Sequence, residues 1–134
     1  MSSLPIFDIA GSALSAQSVR INTLASNLAN ADNVSGDPNA VYKPRDPLFT
    51  TTPMGDDSLQ GVRVTSIEES KSEPLKRYEP GHPLADGEGY VYAPAIDPVA
   101  QMVNLISASR NYQAGVEMIN TAKELALATL NIGR

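Results

Sequence analysis

The stretch NTLASNLANADN, Asn22–Asn33, has helical apolar spacing at Leu24, Leu28 and Ala31, yet its other face does not suit water. The remaining positions are Asn, Ser, Thr and Ala, and no charge occurs before Asp32. A helix with one wet face ordinarily displays Lys and Glu there. Ser, Thr and Asn form helices less readily, because their side chains compete for backbone hydrogen bonds. Such a face permits close approach of neighbouring helices, with amides and hydroxyls bonding across the contact. Two readings stand. One is a two-helix hairpin whose outer face is merely uncharged. The other is a set of helices buried on all sides in an assembly and weakly ordered in the free monomer, since an isolated helix needs tertiary support.

Working outward, Phe7, Ala10, Leu14, Gln17, Ile21, Leu24, Leu28 and Ala31 alternate three and four apart, a heptad stripe with one polar member. A helix from Ile6 to Ala31 would be roughly 39 Å long at about 1.5 Å per residue. Between Asp8 and Asp32 the only charged residue is Arg20. Residues 32–98 differ sharply: they hold nine of the ten Pro, six of the nine Gly and eighteen of the twenty-five charged residues. Residues 99–134 return to helical spacing. Asp97 is a plausible N-cap with Pro98 at the first helical position, and Gly133 is a stop signal. Met102, Leu105, Tyr112, Val116, Ile119, Ala126 and Leu130 form one stripe, interrupted at Ser109 and Lys123. Met118, Ala122, Leu125 and Ile132 form a second strip, and two strips imply more than one partner.

The chain therefore divides into an N-terminal helix (1–31), a Pro/Gly-rich middle (32–98) and a C-terminal helix (99–134), with the helices forming one core. In the middle, Gly61–Glu69, Gly89–Pro94 and Pro74–Pro80 read as short strands. Asn33–Pro47 and Thr51–Gly61 read as loops. The fold class is mainly α with a small β region.

Composition narrows the function. With a net charge of -5, the 134-residue chain lacks the basic face that nucleic acid requires, and no basic amphipathic helix points to direct lipid binding. The absence of Cys removes disulfides, thiol catalysis and thiolate metal sites. No Lys or Arg precedes Arg20, so a Sec-type signal is not expected, and no apolar run is long enough to span a membrane. His82 is the only His and has no second His or Cys to share a metal; a turn position suits it better. Asp86 and Glu88 resemble a carboxylate pair, but nothing marks them as an acid and base in a cleft. Gly87 and Gly89 lack phosphate-loop spacing. No enzyme, metal or cofactor is expected.

SVRINTLASNLANADN, YEPGHPLADGEGYVYAP and MVNLISASRNYQAGVEMINTAKELALATLNIG resemble the bacterial flagellar basal-body rod proteins. The middle segment is similar specifically to the proximal-rod members. The family motif falls on Asn27, Leu28, Ala29, Asn30 and Ala31, and the chain departs from its relatives in the segment Asn33–Pro47. The resemblance implies that the terminal helices pair as a coiled coil in the wall of a helical tube, with the middle facing outward. It implies type III export without a cleaved signal and a place in the rod crossing the periplasm. The implied partners are copies of itself, other rod proteins, the membrane-ring adaptor, the distal rod and the flagellar export apparatus. The implied role is to carry motor torque to the hook around the export channel.

On this reading Phe7, Leu14, Ile21, Leu24 and Leu28 pack within a subunit against Met102, Leu105, Tyr112, Val116, Ile119 and Leu130. Asn22, Asn27, Asn30, Asn104, Asn111 and Asn120 are expected at contacts between subunits. A soluble helical adaptor or export chaperone is the main rival. A small hydrolase using Asp86, Glu88 and His82 is a weaker one.

Overall fold

The computed structural model describes residues 4–133. Its longest elements are helix α1 (Leu4–Ala29) and helix α2 (Pro98–Ile132). Asp97 caps α2, its carboxylate accepting from the amides of Val99 (3.0 Å) and Ala100 (3.3 Å), with Pro98 in the first turn. A cap of this kind satisfies amides that the helix itself leaves unpaired. Helix α1 ends two residues before the expected Ala31, and the chain turns at residues 30–32.

The helices run antiparallel. Arg20 and Leu24 lie near Asn104, while Ala13 and Leu14 lie near Ala114 and Gly115. A Cβ on Gly115 would stand 2.7 Å from Leu14 Cδ2, so a larger residue there would force the Leu14 side chain to shift. The less exposed side of α2 carries Gln101, Leu105, Ala108, Gly115, Ile119, Ala122 and Ala126, three or four apart except for the seven from Ala108 to Gly115. This seam is displaced from the stripe read in the sequence. Gln101 and Gly115 lie on it in place of Met102 and Val116, and at Gly115 the missing side chain leaves room for Leu14.

Between the helices the chain forms two antiparallel hairpin sheets. Strands β1 (Arg45–Met54) and β2 (Asp56–Glu69) make a long ribbon that lies against α1. Leu48 stands opposite Ser66 and Phe49 opposite Val64, so Thr65 is an extra residue in a bulge. Thr51–Gly61, expected as a loop, is instead the end of this ribbon, and Gly55 at φ 76° takes the turn. The run of three Thr before Pro53 is β-branched and favours extension. Pro53 is tolerated because both strands of a two-stranded ribbon have an open edge. A Cβ on Gly61 would come within 3.0 Å of Ser12 Oγ and closer still to Met54, which marks where ribbon and helix meet most tightly.

The second sheet pairs β3 (Leu75–Tyr78) with β4 (Tyr90–Ala93). Ser35 extends it, its N–H donating to Tyr92 O (2.9 Å) and its carbonyl accepting from Tyr92 N (2.8 Å). Val91 is fully buried, and Ala93, Val41 and Ile96 share the small core on that side. Tyr78 and Tyr90 meet edge to face at 5.1 Å, and Lys76 Nζ lies 3.9 Å above the Tyr90 ring.

Candidate assembly surface

Asn27 is completely buried, which an amide tolerates only when it is hydrogen-bonded. Its Nδ2 donates to Arg45 O at 2.8 Å, and its Oδ1 accepts from Arg45 N and from Tyr42 Oη, both at 2.9 Å. One carboxamide thus satisfies both main-chain groups at the start of β1 and ties α1 to the ribbon. Asn27 was expected at a contact between subunits; the structure commits its amide within the chain. No sequence signal linked it to Arg45, eighteen residues away. A second tie lies near the other end of α1, where Ser12 Oγ accepts from Val62 N at 3.1 Å and donates to Ile9 O at 2.7 Å.

The other residues of the family motif divide by position. Ala31 is buried, Leu28 and Asn30 are half-buried, and Ala29 is exposed. Asn30 Nδ2 donates to Ser26 O and its Oδ1 accepts from Asn33 Nδ2, so it closes the helix end. Among the residues read as intra-chain contacts, Leu24 is buried, while Phe7, Leu14, Ile21, Leu105 and Ile119 are half-buried. Met102, Tyr112, Val116 and Leu130 are exposed in the single chain. Asn22, Asn104, Asn111 and Asn120 are exposed.

The outward side of α1 is Asp8, Gly11, Ser15, Ser18, Asn22, Ala25 and Ala29, three and four apart and small throughout. Helix α2 instead exposes large apolar side chains. Near its start these are Val99, Met102, Val103 and Ile106; near its end they are Met118, Leu125, Leu127, Leu130 and Ile132. Leu130 is 68% and Ile132 84% exposed, because α2 projects past the described part of α1. Among the described residues no helix is long and apolar enough to cross a membrane.

The turn-rich segment of the second sheet is organised by its own side chains. His82 Nδ1 accepts from Leu84 N (3.1 Å). Asp86 Oδ1 accepts from the amides of Tyr90 and Glu88, both at 2.9 Å. The Tyr90 amide leads in holding the Asp86 carboxyl below its ordinary pKa; burial opposes it, and the Glu88 amide, the Lys76 charge and the Tyr92 hydroxyl add to the lowering. His82, Asp86 and Glu88 therefore shape a loop. Among the described residues no three His, Cys, Asp or Glu side chains are grouped to hold a metal ion.

A groove of about 660 Å³ runs between α1 and the ribbon, lined by Val19, Asn22, Thr23, Ser26, Arg45, Ile67 and Glu69. Its only charges, Arg45 and Glu69, pair with each other at 3.0 Å.

Residues 7–36 match the family described as "Flagella basal body rod protein", and residues 88–132 match "Flagellar basal body rod FlgEFG protein C-terminal". The proteins named "Flagellar basal-body rod protein FlgC" in Salmonella typhimurium and Yersinia enterocolitica are each 49% identical to this chain, with both chains covered in full. The protein of that name in Buchnera aphidicola subsp. Schizaphis graminum is 42% identical, with 99% of each chain covered. None of these names is an enzyme's. With the helices, the ribbon and the intervening sheet all spanned by such relatives, the chain belongs to the flagellar basal-body rod protein FlgC family.

Proposed function

We propose that this chain is a subunit of the proximal rod, contributing α1 and α2 to a helical tube that encloses the export channel and passes motor torque to the hook. The observation that carries this reading is the mismatch between the helices and water. Helix α1 turns a small, nearly uncharged side outward, and α2 displays Leu125, Leu127, Leu130 and Ile132 at its projecting end. Large apolar patches of this kind mark interaction surfaces. The three-and-four spacing on both helices supports coiled-coil contact within a subunit. The exposed amides of Asn22, Asn104, Asn111 and Asn120 supply hydrogen bonds between subunits.

Self-association and contact with the other rod proteins, the membrane-ring adaptor and the distal rod follow from a place in the proximal rod. So does passage through the flagellar type III apparatus into the periplasm-crossing rod, with the N-terminus uncleaved. The test is a chain lacking residues 1–31, expressed in cells without the native copy. Loss of swimming, with the protein present in the cell but absent from isolated basal bodies, is the expected result. Swimming cells with complete flagella would refute the reading. An intact mass measurement on protein from basal bodies checks export: the full chain is expected, and a trimmed N-terminus contradicts it.

A further inference from the structure

Among the described residues, hydrogen bonds fasten the β1–β2 ribbon to α1 at two places only. At the root, the buried carboxamide of Asn27 binds both main-chain groups of Arg45, and Ser70 N donates to Pro44 O at 2.7 Å to close the ladder there. The second place is Ser12 Oγ, which accepts from Val62 N. From Asn27 back to Ser12 is roughly 22 Å of helix at about 1.5 Å per residue. Little is packed between the two. Of the described residues from Arg45 to Glu69, only Gly61 is buried, and Leu48, Phe49 and Ile67 are exposed. On the β2 side, the 660 Å³ groove is followed by one of about 350 Å³, where Ser12, Ala16 and Val19 face Met54, Val62 and Val64. On the β1 side, a space of about 280 Å³ separates Ala13, Gln17 and Arg20 from Phe49. Side chains beside a gap lose the contacts that would hold them. A segment with few buried apolar contacts opens before the rest of a fold does.

The ribbon itself is better held. Ten residue pairs run from Arg45–Glu69 to Met54–Asp56. The Arg45–Glu69 ion pair at 3.0 Å closes the root, and the Thr50 and Thr65 hydroxyls meet at 2.8 Å. We infer that the ribbon is a strap, which pivots at Asn27–Arg45 and lifts from α1 with its own ladder intact, uncovering Ser12, Ala16 and Val19. The inference does not depend on the rod reading. The two fastenings differ in strength. Asn27 is fully buried and its carboxamide makes three hydrogen bonds, so breaking them strands polar groups away from water. Ser12 and Val62 are half-buried, so water replaces their single bond at little cost. From Arg45 to Pro53 the arm is roughly 27 Å long at about 3.4 Å per residue, and a swing of about 20° carries its end about 10 Å. Lifting thus lets α1 pass between a covered and an open side without unfolding either element.

The test uses the purified full chain, whose lack of Cys lets spin labels be placed singly. One pair of exposed positions, Ser18→Cys with Ser58→Cys, reads the free end; a second, Ala25→Cys with Glu68→Cys, reads the root. Pulsed electron-spin distance measurement is expected to give the free-end pair a second component longer by about 10 Å. The root pair is expected to give one narrow component. Hydrogen exchange on the unsubstituted chain then reports the ladder. Val62 N–H points at Ser12, so the alternation of an antiparallel ladder turns Arg63 N–H toward β1. The Val62 amide is expected to exchange about tenfold or more faster than that of Arg63. A single narrow distance for the free-end pair overturns the inference, because the ribbon is then fixed on α1. Two components at both pairs overturn it too, because nothing then acts as a pivot. Equal exchange at Val62 and Arg63 also overturns it, since the ribbon then either stays down or frays together with its fastening.

Discussion

The carboxamide of Asn27 stands to Arg45 as a neighbouring strand would, donating to its carbonyl at 2.8 Å and accepting from its amide at 2.9 Å. A residue on a charge-poor helix thus performs the edge capping of a sheet. Because Arg45 is the first residue of β1, this contact also fixes where the ribbon leaves the helix.

Asn27→Ala should lower stability by about 1–3 kcal/mol, the range for leaving buried main-chain groups and a hydroxyl unpaired. Asn27→Asp should cost more at neutral pH, since it replaces the donor to Arg45 O with a buried carboxylate oxygen. Urea unfolding of the three proteins checks the order. Hydrogen exchange at Arg45 checks the cause, because its amide loses protection in Asn27→Ala.

Gly115 and Leu14 set the separation of the helices. Gly115→Val should destabilise by about 1–3 kcal/mol through overpacking. Gly115→Ala gains about 1 kcal/mol of helix propensity, which offsets part of its own clash. Combining it with Leu14→Ala removes the 2.7 Å contact, so the two substitutions should be less harmful together than their sum. Thermal unfolding of the single and double variants measures that coupling.

Asp97→Ala should cost about 1 kcal/mol by removing the cap of α2, and Asp97→Asn should restore most of it. The readout is hydrogen exchange at Val99 and Ala100, whose amides the carboxylate now holds.

Asp86 gives the loop a dependence on acid. Its carboxyl sits below the ordinary value of 3.8, first because the Tyr90 amide donates to it. A depressed carboxylate contributes its stabilisation fully above the unfolded pKa and loses it as pH falls through the folded one. Tyr90 and Glu88 amide shifts followed by NMR should therefore stay constant at neutral pH and move only below that ordinary value. Asp86→Asn should abolish the movement.

The projecting end of α2 should change most on assembly. Amides from Leu125 to Ile132 are expected to exchange quickly in the monomer and slowly in isolated rods, while Val91 and Asn27 are protected in both. Rapid tryptic cleavage at Lys123 in the monomer, lost on assembly, is the simpler readout.

Local chemistry made the helices legible. Asp97-Pro98 declares the start of α2 through a side chain two and three residues from the amides it caps. The run between Asp8 and Asp32, with Arg20 its only charge, announces a helix not built for water. These signals act within a turn or across one helix face, so the order of residues is enough to carry them. The sequence could not determine which of two overlapping stripes on α2 would face α1. Gly115 rather than Val116 lies there because of the bulk of Leu14, and that follows only when the helices touch. Nor could it show that Thr51–Gly61 continues a ribbon, since pairing depends on a partner strand and on the support of α1 through Ser12. Asn27 is the clearest case. As sequence it is one more uncharged helix residue, and only the folded chain brings Arg45 and Tyr42 to its amide, because burial and hydrogen bonding are decided by neighbours remote along the chain.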